Sequence, residues 1–97
     1  MSDPPPSHRK TSAEREATGS FIMQLLSAHP TKMFSRSKLL SELVKNHPPG
    51  VGEWDVNSRK DGNMLQRIIS MLMQNKERII TTKGSRHLLY GYSPSGN

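Results

Sequence analysis

Three stretches of the chain place apolar residues at the same helical spacing. FIMQLL and KLLSELV carry them at i, i+1, i+4 and i+5, and NMLQRIISML extends the pattern by another turn. At about 100° per residue, each set forms one stripe along a helix, which is typical of a helix packed on a core. The sequence therefore predicts three helices around one core. The predicted core positions are Phe21, Ile22, Leu25, Leu26, Leu39, Leu40, Leu43, Val44, Met64, Leu65, Ile68, Ile69 and Leu72.

The first helix has a packed part at residues 19–28 and stops before Pro30, which cannot continue a helix. The sequence TSAE, beginning at Thr11, matches a capping box, which would extend the helix back to residue 12. Residues 1–18 are therefore predicted to be a flexible leader, with a helical part if that extension forms.

The second and third helices begin at polar residues that cap helices well. Ser35 precedes the second helix, residues 36–46, which ends at the HPPG stretch. Ser58 and Asp61 are both suitable N-caps for the third helix, which runs to about Asn75. The start of the third helix stays open between these two residues.

Residues 78–92 form a predicted β-hairpin. RIITT is rich in β-branched residues, HLLYGY holds both tyrosines, and between them Gly84 is available for the positive φ of a tight hairpin turn. Residues 32–34, before the second helix, are a candidate third strand beside the hairpin. Residues 93–97, after it, are predicted to be a flexible tail.

An isolated two-stranded hairpin is marginally stable in water, so this one must pack against the helices. Ile79 or Ile80, together with Leu88 and Tyr90, are the residues that it can bury there. The tip of the hairpin then projects beside the third helix.

Composition restricts the class of protein. Ninety-seven residues, 32% of them hydrophobic, suffice for one small domain. The chain has no cysteine, no apolar run near the ~20 residues of a membrane span, and no hydrophobic signal region at its N-terminus. We therefore expect a soluble intracellular protein without membrane contact, in the cytoplasm or nucleoid, or in the nucleus of a eukaryote.

The residue patterns disfavour catalysis and metal binding. The four histidines are scattered, no Ser or Asp is spaced as a partner for them, and there is no phosphate-binding glycine loop. DVNSRKDGNMLQ superficially resembles a calcium loop, but it lacks glycine at the sixth place and has Gln66 instead of the bidentate glutamate. The sequence predicts neither an enzyme nor a bound cofactor or metal.

Positive charge is concentrated in the second half of the chain. The formal net charge is +6. Residues 1–55 hold seven Lys or Arg and six Asp or Glu, whereas residues 56–97 hold seven Lys or Arg and only two Asp or Glu. This asymmetry indicates either a polyanionic partner or a generally basic, well-solvated surface.

The order of these elements over residues 19–92 resembles the winged helix-turn-helix domain, and is similar to the small winged DNA-reading domains of bacterial repressors. That resemblance implies a mainly α fold with a small β element, in which three helices precede a C-terminal hairpin, the wing. It also implies that the third helix enters the major groove of DNA. The segment HPPGVGEWDVNSRK before the third helix is longer than the tight turn of the family.

The polar face of the third helix carries amides, a hydroxyl and one arginine instead of the Glu and Lys of a merely solvated helix. Asn and Gln can bond both N6 and N7 of adenine, and Arg both O6 and N7 of guanine. By the winged-helix resemblance, Asn63, Gln66 and Arg67 take the base-facing positions, although an ordinary solvated face is the alternative. The residues of this predicted site are Arg59, Lys60, Asn63, Gln66, Arg67 and Ser70.

Two further basic segments are predicted to contact the DNA backbone. At the start of the second helix, Arg36 and Lys38 combine with the free N–H groups of the helix terminus. At the hairpin tip, Arg86 suits either a phosphate or a narrow A·T-rich minor groove, and a plain solubilising turn is the alternative. The predicted tip residues are Lys83, Ser85, Arg86 and His87.

Trp54, the only tryptophan, lies in a polar loop. It either anchors that loop to the core or is exposed to bind a protein, since tryptophan is enriched at binding hot spots. In the second case, Trp54, Met71 and Met73 would form the contact surface of a winged-helix protein–protein adaptor.

These observations predict a non-catalytic protein that binds double-stranded DNA and acts as a transcriptional regulator or nucleoid-type factor. A·T-rich DNA is a candidate target because of the basic hairpin tip. The protein–protein adaptor is the alternative function, and a salt titration distinguishes the two, since only DNA binding should weaken steeply with salt.

Overall fold

The computed structural model describes residues 10–75 and 78–93. In this part of the chain, three helices pack with a three-stranded antiparallel sheet, which confirms the predicted mainly α fold with a small β element. The elements are α1 (Ser12–Ala28), β1 (Phe34–Ser35), α2 (Arg36–Asn46), α3 (Arg59–Gln74), β2 (Ile79–Lys83) and β3 (Leu88–Tyr92).

Helix α1 includes the extension predicted from the capping box. The Thr11 hydroxyl accepts a hydrogen bond from the Glu14 N–H at 3.1 Å, and the Glu14 carboxylate accepts one from the Thr11 N–H at 3.0 Å. These bonds satisfy two of the N–H groups that a helix start leaves without partners. The domain boundary predicted at residue 19 thus falls inside a helix, and Thr18, just before it, is fully buried.

The caps of α2 and α3 are serines. Ser35 Oγ accepts from the Lys38 N–H at 3.1 Å, and Ser58 Oγ accepts from the Asp61 N–H at 3.2 Å. Ser58 is therefore the N-cap of α3, and Asp61 is not. The Asp61 carboxylate instead accepts from the Asp55 N–H at 2.8 Å, which ties the preceding loop to the first turn of α3.

The sheet has the order β1-β3-β2, so the last strand of the chain lies in the middle. Phe34 pairs with Tyr90, and this confirms the predicted third strand, although it spans Phe34–Ser35 instead of residues 32–34. Gly91 lies at this junction, close to Met33 and Lys32. A Cβ atom there would overlap the sulfur of Met33 and lie 3.2 Å from the Lys32 carbonyl oxygen.

The hairpin buries fewer residues than predicted. Ile79 and Tyr90 belong to the core, whereas Ile80 is 41% exposed and Leu88 is 44% exposed. Ile79 is thus the isoleucine that packs inward, because neighbouring residues of a strand face opposite sides of the sheet. The predicted burial of Leu88 is wrong, because it lies two residues closer to the loop than Tyr90 and beyond the core.

The hairpin loop also differs from the prediction. Gly84 does not adopt the predicted positive φ, and the four residues that join the strands are 84–87, one position later than the four residues 83–86 between the predicted strands. The Gly84 N–H donates to the His87 carbonyl oxygen at 2.9 Å. A Cβ atom on Gly84 would lie 2.8 Å from that oxygen. Glycine is therefore favoured at position 84 because the backbone approaches closely, and not because the residue adopts a left-handed conformation.

The core draws on every helix, the sheet and the α2–α3 loop. Among the predicted stripe positions, the predicted burial of Val44 is wrong, since its side chain is 39% exposed at the edge of the stripe. Phe21, Leu25, Met64 and Leu72 are partly buried against the core. The fully packed residues are Ile22, Leu26, Phe34, Leu39, Leu40, Leu43, Val51, Trp54, Leu65, Ile68, Ile69, Ile79 and Tyr90.

The long α2–α3 loop is fastened to the core by two of its own side chains. Val51 is 1% exposed and Trp54 is 8% exposed, and the Trp54 indole N–H donates to the Val51 carbonyl at 2.8 Å. Lys10 covers the indole with its ammonium 4.6 Å from the ring centre and also donates to the Glu53 carbonyl. Of the two roles predicted for Trp54, the structural anchor is correct and the exposed protein-binding residue is wrong.

Candidate nucleic-acid interface

A small cavity forms where α2, α3 and the hairpin meet. Its volume is about 200 Å³. Three segments that were predicted separately as DNA-binding each contribute a residue to it: Arg36 from the start of α2, Gln66 from the polar face of α3, and His87 from the hairpin loop. The lining residues are Arg36, Ser37, Gln66, His87, Leu88 and Tyr90.

A hydrogen bond between Tyr90 and Gln66 crosses this cavity. The Tyr90 hydroxyl donates to Gln66 Oε1 at 3.1 Å. Tyr90 is only 2% exposed and lies in the central strand, whereas Gln66 is half-buried. The amide of Gln66 is therefore hydrogen-bonded to a side chain of the central strand of the sheet. Tyr90 was predicted only as a core residue, because nothing in the sequence relates two positions 24 residues apart.

Arg36 lies against the first turn of α3. A Cβ atom on Gly62 would be 3.7 Å from both Cζ and Nε of the Arg36 guanidinium. A methyl group at position 62 would therefore be in ordinary van der Waals contact with the arginine. This contact places the cation of α2 one turn before Gln66, at the junction of the two helices.

Lys38, the second predicted cation of α2, is paired within the helix. Its ammonium lies 3.3 Å from the Glu42 carboxylate, one turn along. The hydrogen bond from Lys38 is the main cause that lowers the pKa of Glu42 below its ordinary value, with a further hydrogen bond from Asn46 and despite the opposing effect of burial. The charge of Lys38 is thus partly neutralised.

The other predicted cations form no ion pair with any residue in the described ranges 10–75 and 78–93. Arg59 and Lys60 occupy the first turn of α3, where the helix dipole disfavours positive charge. Asp61 is the acidic residue of that turn. These cations add little to the stability of the domain, which leaves them available for an external anion. The set comprises Arg36, Arg59, Lys60, Arg67, Lys83 and Arg86.

The polar residues of α3 form a stripe beside these cations. Asn63, Arg67 and Ser70 are spaced i, i+4, i+7, so they lie on one side of the helix. Asn63 and Arg67 are exposed, and Ser70 is half-buried. Gln66 lies at the edge of this stripe that faces α2 and the hairpin. At the hairpin tip, Lys83 at the end of β2 and the loop residues Ser85, Arg86 and His87 are exposed, and of these only His87 lines the cavity.

The residues of the alternative, protein-binding surface do not come together. Trp54 is in the core. Met71 and Met73 are 57% and 39% exposed, but two residues along a helix correspond to about 200° of rotation, so they lie on opposite sides of α3. Met71 borders a groove of about 730 Å³ between α1 and α3, and Met73 does not. The predicted three-residue surface is therefore wrong.

Comparisons of the chain with models of protein families, with curated proteins and with solved structures found no match. Within the described ranges, the helices are too short or too polar to cross a lipid bilayer. The same residues contain no group of three His, Asp or Glu side chains arranged to hold a metal ion.

Proposed function

We propose that this chain is a winged-helix protein that binds double-stranded DNA, with α3 in the major groove and the hairpin loop on phosphates or in the minor groove. The observation that carries the proposal is the convergence of Arg36, Gln66 and His87 on one cavity. Further cations of α3 and the hairpin tip form no ion pair within residues 10–75 and 78–93. In this role it serves as a transcriptional regulator or nucleoid-type factor inside the cell and catalyses no reaction.

The topology supports the winged-helix part of the proposal. The helices and strands follow the order α1-β1-α2-α3-β2-β3, and β1 pairs with the middle of β3. A hairpin held in this way lies beside α3, as the Tyr90–Gln66 hydrogen bond illustrates. The wing and the reading helix of such a protein contact adjacent parts of one duplex.

Each group of residues has a distinct task in this proposal. Asn63, Gln66 and Arg67 read base edges in the major groove, and Arg59 and Lys60 at the helix start approach the backbone. Arg36 and the loop cations contact phosphates on either side. Neutralised phosphates release counterions, so affinity falls as salt concentration rises.

A salt titration of a wing variant tests the proposal. In Lys83→Ala/Arg86→Ala, each lost phosphate contact should reduce the slope of log affinity against log salt by about 0.9. The control is Lys45→Ala, which removes an exposed cation from the far end of α2. Slopes that match the wild type in the double variant would contradict a role of the wing in binding.

Arg67→Ala tests base reading by α3. Loss of this exposed side chain should cost about 1–3 kcal/mol on a preferred duplex and much less on a scrambled one. Equal affinities of the variant and the wild type for both duplexes would exclude α3 as the reading helix.

The α1–α3 groove favours a second function, that of a protein–protein adaptor. Met71 is more than half exposed at its edge. In this case the protein would not bind duplexes even at low salt, and the substitutions of Lys83, Arg86 and Arg67 would leave partner binding unchanged.

A further inference from the structure

We propose that Tyr90 is a positioning residue that fixes Gln66 as a hydrogen-bond donor, so that α3 selects guanine instead of adenine at the base pair facing Gln66. This inference rests on the proposed DNA-binding function. It assigns a base preference to one position of the site and attributes that preference to a residue of the wing.

The position of the Tyr90 hydroxyl is determined by the sheet. Tyr90 pairs with Phe34 on one side and with Thr81 on the other, so its backbone is held by both neighbouring strands. Its side chain is almost fully buried. The hydroxyl that reaches Gln66 Oε1 at 3.1 Å is thus presented from a rigid part of the molecule.

In this hydrogen bond the Tyr90 hydroxyl is the donor and Oε1 of Gln66 is the acceptor, so the NH₂ end of the amide faces away from Tyr90. A glutamine amide has one acceptor oxygen and one NH₂ group with two donors, on opposite sides of the same carbon. Because Oε1 is directed toward Tyr90, the NH₂ group remains for a ligand. Arg36, which lines the same cavity, carries only donors, so the acceptor end of the amide suits this side.

The orientation has a consequence for base recognition. Bidentate recognition of adenine uses the amide oxygen for the N6 amino group and the NH₂ group for N7. Guanine presents two acceptors, O6 and N7, at the same edge. An amide that offers only donors therefore matches guanine and loses one of the two bonds to adenine.

Selection from a randomised duplex pool, followed by sequencing of the bound duplexes, tests the inference. The proteins are the full-length wild type, Gln66→Leu, Tyr90→Phe and the control Tyr92→Phe. Gln66→Leu identifies the base pair that depends on Gln66, and there the wild type should prefer guanine roughly tenfold. Tyr90→Phe frees the amide to rotate and should shift the preference toward adenine. Tyr92→Phe removes the other strand hydroxyl and should leave the preference unchanged.

Gln66→Glu provides a second test that leaves Tyr90 intact. The glutamate still accepts the Tyr90 hydrogen bond, but it presents an acceptor in place of the NH₂ group. It should therefore select cytosine, whose N4 amino group is a donor. Persistent selection of guanine by Gln66→Glu would overturn the inference even if Tyr90→Phe failed to fold.

The remaining outcomes separate this inference from the proposed function. If no protein binds a duplex at low salt, both fail. If the wild type binds but Tyr90→Phe retains its preference, or if the wild type prefers adenine at the Gln66 position, DNA binding stands and the positioning role of Tyr90 is excluded. A Gln66→Leu variant with unchanged base preference would likewise exclude Gln66 as a reading residue.

Discussion

The Tyr90 hydroxyl and Gln66 Oε1 are 3.1 Å apart, and their hydrogen bond joins the central strand of the sheet to the polar face of α3. Apolar contacts of residues such as Ile79 also attach the hairpin to the helices, and β3 pairs with β1, whose Ser35 is the N-cap of α2. Because apolar contacts are not directional, this bond specifies the position of the hairpin relative to α3 more closely than they do. This bond joins the proposed wing to the proposed reading helix.

We expect Tyr90→Phe to lower the free energy of unfolding by about 0.5–1.5 kcal/mol, the usual contribution of one hydrogen bond. The ring still fills its place in the core, so the packing contribution is retained. Urea denaturation measures the change. Tyr92→Phe, two residues along the same strand, is the matched control and should change stability by less than about 0.5 kcal/mol. Equal stabilities of both variants would show that the Tyr90 bond contributes nothing.

Gly91→Ala should destabilise the junction of β1 and β3. The added methyl group would displace the flexible side chain of Met33, which is 36% exposed, and would crowd the Lys32 carbonyl oxygen at 3.2 Å, so the backbone there must adjust slightly, at a cost of about 1 kcal/mol. The control is Gly62→Ala, where the nearest atoms are 3.7 Å away and the helical backbone gains up to about 1 kcal/mol. Thermal unfolding of both variants tests this, and a Gly91→Ala protein as stable as the wild type would contradict it.

The Lys38–Glu42 pair should make the free energy of unfolding depend slightly on pH in the acidic range. The pKa of Glu42 is lowered from its ordinary value of 4.5, mainly by the Lys38 hydrogen bond, so the folded state favours the ionised carboxylate. Its contribution is complete above pH 4.5 and is lost as the pH falls through the lowered pKa. Since Lys38 is 57% exposed, solvent limits the effect to about 0.3–0.5 kcal/mol.

Urea denaturation at pH 7 and pH 3 measures this contribution. The difference in stability between the two pH values should be smaller in Glu42→Gln than in the wild type. Glu16→Gln removes an exposed carboxylate that has no ion pair in the described part of the chain, and it should leave the difference almost unchanged.

Glu42→Gln should also strengthen DNA binding if Lys38 contacts a phosphate. The substitution removes the carboxylate that lies 3.3 Å from the Lys38 ammonium and releases the cation for the duplex. We expect higher affinity and a steeper salt dependence. In the background of Lys38→Ala the same substitution should have little effect on affinity. An equal gain in both backgrounds would indicate general electrostatics and exclude a specific contact of Lys38.

Trp54 gives a fluorescence test of the α2–α3 loop. Its ring is 8% exposed and covered by Lys10, so acrylamide should quench the folded protein far less than the urea-unfolded chain. Lys10→Ala should increase quenching of the folded protein. Similar quenching of the folded and unfolded protein would mean that Trp54 does not anchor the loop.

Local sequence was enough to predict the three helices and the start of α2, whereas for α1 and α3 it offered two possible starts each. The apolar stripes place Ile22, Leu39 and Leu65 in the core, and the polar residues Thr11 and Ser35 occupy the caps that the sequence indicates. These features could be predicted because helical periodicity and capping involve residues no more than about four positions apart. The charge asymmetry between the two halves of the chain can likewise be read directly from residue counts.

The tertiary structure alone decided which side chains meet across the fold. In the folded protein Ile79 and not Ile80 packs in the core, Leu88 is exposed and Trp54 is buried. A strand turns alternate side chains to opposite faces, so a shift of one residue in register reverses inside and outside, and a short sequence does not specify that register. The Tyr90–Gln66 bond likewise depends on how a sheet and a helix pack, because its partners are brought together only by contacts between distant parts of the chain.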